Sequence, residues 1–198
     1  MKINWFLIIL SLAFLSACTA IKPTITNQYK LAAFSSKQYN KKSGKHSILV
    51  TIPEAVAGYQ NENMIYVNKP YVLSSFVKNA WIDPPAEMLF PLIVQSLQKT
   101  GVFTAVGSSP HAEITDYRLD TQLLELQQNF LKKPSQIDLA VKIVLTRVRD
   151  SKVIASRIIA EHVPCPTENP EGGVFAANKA VERLTAEMSH FAVSHLKN

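Results

Sequence analysis

Two thiols and five imidazoles are the most reactive side chains of this 198-residue chain, and their spacing limits the chemistry open to it. Cys165 sits between Pro164 and Pro166. Flanking prolines favour an extended turn over the helix N-terminus that would acidify a thiol, so Cys165 reads as structurally incidental. The histidines, at 46, 111, 162, 190 and 195, are scattered. His190 and His195 miss the i,i+4 spacing that two ligands on one helix face require. His111, close in sequence to Glu113 and Asp116, has metal-binding neighbours of a kind common in loops, and no metal site is expected. Asp116 and Asp120 share a face of any regular strand, without the partner base that acid–base catalysis needs. There is no G-x-S-x-G, no H-E-x-x-H and no glycine-rich phosphate loop, and the chain has only six glycines. No catalytic centre and no cofactor are expected.

Cys18 is different, because of what precedes it. One charge, Lys2, is followed by an uncharged run from Ile3 through Ala17, then by Leu15-Ser16-Ala17-Cys18 at its close. A charged start, an apolar stretch and small residues at the end are the layout of a secretory signal. A run of about 15 apolar residues is short of the ~20 a spanning helix needs. The four-residue motif resembles the bacterial lipoprotein signal, in which the Cys is acylated on sulfur and becomes the mature N-terminus. The resemblance implies a bacterial envelope protein lipidated at Cys18. Thr19, standing where an inner-membrane retention Asp would lie, implies the outer membrane, facing the periplasm.

Loss of residues 1–17 leaves a chain of one-domain size. The division expected is a signal peptide over 1–17, a lipidated N-terminus and tether over 18–28, and one folded unit over 29–198. The formal charge of +6 falls by one without Lys2. A modest basic excess suits anionic lipid or an acidic partner. Nucleic acid is not an expected partner outside the cytoplasm.

The elements follow from periodicity. Tyr29-Lys30-Leu31 opens an edge strand, and Ile48, Val50 and Ile52 form another, stopped by Pro53. Residues 65–67 and 71–73 read as a hairpin across Asn68-Lys69-Pro70. Asp83 as N-cap and Pro84 as the first turn start a helix whose inner face is Leu89, Leu92, Ile93 and Leu97; Gly101 ends it. Pro91 either kinks this helix or begins it. In 114–130 the apolar phase drifts, which calls for a bulge or a strand buried on both sides. Ile137 to Leu145 alternate strictly, and 152–163 make the hairpin partner across Asp150-Ser151. Val174, Ala177, Val181, Leu184, Met188 and Phe191 then recur at helical spacing. The expected fold is α/β (α+β): a mixed, largely antiparallel sheet packed by two main helices, about 83–100 and 173–196.

Two stretches could form contacts. The loop 35–47 carries Lys37, Lys41, Lys42 and Lys45, which would meet anionic headgroups or simply be solvated. Trp81 and Ile82, just ahead of the first helix, either wedge it onto the sheet or meet a protein partner.

These landmarks in their order resemble the ABC-type transport auxiliary lipoproteins, the PqiC-like family. They are the motif at Cys18, Tyr29 with Leu31, the strand Ile48 to Pro53, Ile65-Tyr66, Trp81 before Pro84-Pro85, Phe103 with Val106, two long strands and an alanine-rich closing helix. The usual Arg after Ile65-Tyr66 is replaced here by Asn68-Lys69. The resemblance implies an outer-membrane lipoprotein with no catalytic centre that docks a lipid conduit. Its partners would be an MCE-domain protein, inner-membrane transporter subunits and, as a homo-oligomer, further copies of itself. The alternative is a structural lipoprotein of another envelope complex, such as a secretion apparatus.

Overall fold

The computed structural model describes residues 27–39, 44–108 and 114–196. The expected signal peptide, Cys18, Lys41, Lys42 and His111 lie outside the described residues. In chain order the strands are β1 (Asn27–Tyr29), β2 (Ser47–Val50), β3 (Glu54–Ala55), β4 (Asn63–Lys69) and β5 (Val72–Trp81). Helix α1 (Pro85–Lys99) and β6 (Ala105–Ser108) precede three long strands, β7 (Tyr117–Asn129), β8 (Gln136–Arg147) and β9 (Lys152–Pro164). Helix α2 (Pro170–Ser194) follows. The fold is α+β, with a mixed sheet curled into a half-barrel and two helices among the described residues.

Strand β7 is the spine. One of its edges is paired along its length with β8, antiparallel. The other edge takes three short strands in series, all parallel: β2 opposite 117–119, β3 opposite 122–123 and β4 opposite 127–129. Antiparallel β9 extends the sheet beyond β8, antiparallel β5 beyond β4, and parallel β6 beyond β2. The expectation of a largely antiparallel sheet holds for the long ladders, while five of the eight pairings are parallel.

The drifting phase of 114–130 is a bulge. Leu123 faces Val141 and Glu125 faces Ala140, so Leu124 is the extra residue. The phase reset lets Leu126 join Leu119 and Leu123 on the inner face. With Ile137, Leu139, Val141, Ile143 and Leu145 they make an apolar floor, all buried. Helix α2 lies on it through Ala176, Ala177, Ala180, Val181, Leu184 and Met188, the small residues letting the helix approach closely. Asn169 caps α2, its side chain accepting from Gly172 N–H at 2.9 Å. Helix α1 buries Leu89, Leu92, Ile93 and Leu97 as expected and meets α2 where Ser96 Oγ lies 2.9 Å from Ser189 Oγ.

Three details differ from the sequence reading, and one open alternative is resolved. Asn27 and Gln28, expected in the tether, pair with Asn79 and Ala80. Strand β5 runs on to Trp81, well past the short hairpin arm expected. The N-cap of α1 is Pro84, not Asp83, and makes no side-chain cap, with Pro85 opening the helix. Pro91 lies inside α1 on its exposed side and so does not begin the helix.

After β1 the chain is strapped along α2 toward the other end of the sheet. Asn178 Oδ1 accepts from Ala32 N–H at 2.7 Å and Ala33 N–H at 3.1 Å, and Thr185 Oγ1 accepts from Ser35 N–H at 2.9 Å.

Candidate docking surfaces

The face of the sheet away from the helices carries a cross-strand polar row. Gln127 of β7, Asp138 of β8 and His162 of β9 stand side by side. Asp138 is 6% exposed and its carboxylate is fully used. It accepts from Asn129 Nδ2 at 2.8 Å and Gln136 Nε2 at 2.6 Å, and lies 2.6 Å from His162 Nδ1. Tyr59 donates to Gln127 Oε1 at 2.9 Å, and Gln127 donates to Glu125. Burial foremost, then the charges of Glu125 and Asp138, push the Tyr59 phenol up to about 12. Burial also raises the Glu125 carboxyl, helped by Asp138 and opposed by His162 and Gln127.

Tyr59, Glu125 and Gln127 floor a groove of about 520 Å³ whose walls are Val67, Tyr71, Val72, Leu73, Leu124 and Ala140. A neutral phenol, an amide and a carboxyl bonded to one another bind and orient; they hold no free nucleophile beside a base. The sequence reading passed over this network, because the register that aligns 127, 138 and 162 is set by long-range pairing. The signal available was the polar residue on the outer side of an otherwise apolar strand.

The expected site residues lie elsewhere. Trp81 is 3% exposed, at the end of β5, and packs in the core beside Met64 and Ile137. Its side chain thus lies in the core, whereas Ile82 is 49% exposed. Lys37 and Lys45 are exposed. Their loop sits at the start of β7, beside the groove of about 410 Å³ lined by His46, Ile114, Asp116, Arg147 and Arg149. Asp116 accepts from Ser47 N–H at 2.7 Å and from its hydroxyl at 2.9 Å, and these bonds hold its pKa down. Asp120 pairs with Arg118 at 2.9 Å. Both acids fasten strands. Cys165 is buried and free, and burial raises its thiol pKa, which suits the incidental reading. Tyr39 stacks on His190, and His195 Nδ1 donates to the Phe191 carbonyl, 2.8 Å away. Among the described residues no group of three or more His, Cys, Asp or Glu is placed to hold a metal, and no helix is long and apolar enough to cross a membrane.

A family model described as the ABC-type transport auxiliary lipoprotein component matches residues 29–189. The chain belongs to that family. It is a family of transport components, not a known enzyme family, and its members are lipoproteins that serve ABC-type transport complexes. A comparison with curated proteins finds no match. Among solved structures, the fold is similar to protein XCC0632 from Xanthomonas campestris, described as DUF330, with a TM-score of 0.70 and 18% identity. That likeness covers 86% of this chain and 92% of the other. A second crystal structure, of an uncharacterized protein, has a TM-score of 0.68 and 9% identity, covering 84% of this chain and 98% of that one.

Proposed function

We propose that this auxiliary lipoprotein is the outer-membrane docking component of an ABC-type system that passes lipid through an MCE-domain conduit. Residues 1–17 are the removed leader, Cys18 carries the lipid, residues up to Thr26 are the tether and the rest is the docking body. The observation that carries the reading is the family match over 29–189 behind an apolar leader that closes on Cys18. The polar row above Asp138 and the basic loop then serve as binding surfaces. The described part of the loop, Lys37 and Lys45, lies at the β2 end of the sheet, whereas the start of β1 points to the β4–β5 hairpin end. Lys37 and Lys45 thus meet an acidic partner approaching across the periplasm and not the anchoring leaflet.

Crosslinking in intact envelope, followed by capture of the lipidated chain, tests this. Recovery of an MCE-domain protein with inner-membrane transporter subunits supports the reading. Recovery of secretion components in their place overturns it and favours an envelope complex of that other kind. The native mass of the detergent-extracted protein reports whether it docks as a homo-oligomer.

A further inference from the structure

The direction of β1 fixes which end of the body is tied to the membrane. β1 is parallel to β5, with Asn27 opposite Asn79 and Tyr29 opposite Trp81. β5 runs away from the tip of the β4–β5 hairpin, where Lys69 faces Val72. The N-terminal end of β1 therefore points toward that tip. Nine residues, 18–26, separate Cys18 from the strand. Fully extended they reach about 30 Å. The tip is seven residues of β5 beyond Asn79, a rise of about 23 Å. The acylated residue can come level with the hairpin tip with little chain to spare.

The surface at that end is unlike the rest of the molecule. Tyr71 stands fully in solvent, held out by a left-handed backbone with φ of 66°, and Val72 and Leu73 are about half exposed beside it. The β7–β8 turn lies alongside: Phe130 N–H donates to Val67 carbonyl at 2.8 Å, and the Phe130 ring meets Tyr66 and Phe76. That turn presents Leu131, 47% exposed, with Lys132 and Lys133. Lys69 is exposed on the hairpin. Neither 69–73 nor 131–133 contains an acid. An aromatic with a polar tip, short aliphatics and lysines is the composition that rests at a membrane interface.

We propose that this end, Lys69 to Leu73 with Leu131 to Lys133, seats in the headgroup layer of the leaflet that holds the lipid anchor. The inference rests on lipidation at Cys18. A second copy meeting tip to tip would set these lysines against their equivalents, whereas an anionic leaflet complements them. Because the acyl chains already provide attachment, the tip sets orientation: it stands the long axis of β7 away from the bilayer. The basic loop is then presented some 40 Å out, the rise of the 13 residues of β7.

The test uses the lipidated mature chain in vesicles of phosphatidylethanolamine and phosphatidylglycerol, some lipids carrying a nitroxide just below the headgroup. Tyr71→Trp and Leu131→Trp place an indole at the tip, and Val148→Trp places one at the far end. Trp81, buried, gives a common background that the parent protein subtracts. The tip indoles are expected to shift to the blue and to be quenched about twofold, with the Val148→Trp signal unchanged. Equal quenching at both ends, or none at the tip in protein that sediments with vesicles, overturns the orientation while leaving the anchor intact. Protein that does not sediment overturns the anchor and the tip with it. A blue shift that grows with protein concentration in detergent assigns the tip to a second copy and overturns the membrane assignment. Hydrogen exchange of the unsubstituted chain, in vesicles against detergent, repeats the test without a variant: protection at 69–73 and 131–133 is expected, and its absence counts as failure.

Discussion

The two faces of the sheet differ in what holds them in place. Toward the helices, Leu119, Leu123, Ile143 and Leu145 are fully buried, and their alternation is broken once, by the bulge at Leu124. Toward the open side, the same strands carry Arg118, Asp120, Glu125, Gln127 and Asp138, held by one another. The inner face is stabilised by area removed from water and tolerates little loss of volume. The outer face is stabilised by completed hydrogen bonds, so it is sensitive to an orphaned partner. It is also the face free to meet other molecules.

Substitutions can break that contrast. Trp81→Ala empties the inner layer beside Met64 and Ile137, and a loss of about 3–5 kcal/mol in unfolding free energy is expected. An unchanged denaturation midpoint with weakened partner capture would move Trp81 back to a contact role. On the outer face, Asp138→Ala strands Asn129, Gln136 and His162, at a cost of about 1–3 kcal/mol. A melt indistinguishable from the parent would show the row to be ornamental. Arg118→Ala removes a half-exposed ion pair and is expected to change stability by less than about 1 kcal/mol.

The smallest effect sharpens the contrast through pH. The Glu125 pKa is raised in the folded chain above its ordinary 4.5. In the window above 4.5 the folded chain keeps a proton that the unfolded chain releases, so this group lowers stability as pH rises through its folded value. Glu125→Gln keeps an acceptor for Gln127 and removes the charge. Melting across pH 4 to 7 is expected to show a shallower decline in the variant; an identical slope would place the raised pKa in error.

What was legible in the sequence follows the same division. Ile137 to Leu145 announce β8 because each inner residue is apolar and each is covered by α2. The inner residues of α1 and α2 were readable for the same reason. β5 was cut short because an edge strand with Ser74, Ser75, Lys78 and Asn79 shows no buried alternation. Asp83 was a sound cap by residue type, but Pro85 starts the helix one turn position later than that cap requires. The side of Trp81 could not be read locally, since its neighbours Met64 and Ile137 arrive from distant strands. The polar row and the tip were passed over for a related reason. Gln127, Asp138 and His162 become neighbours only through register, and Tyr71 looks in sequence like any strand aromatic.

The order in which β7 collects its partners governs when the fold can be completed. β2 and β3 precede their partner strands β6 and β7 by more than 50 residues. Short hairpins close early, but those two parallel slots wait for a distant segment and incur a large loop-closure entropy. A chain that emerges N-terminus first therefore cannot knit its leading third until residues 105–129 are free to pair. The topology delays its own completion until the spine is present.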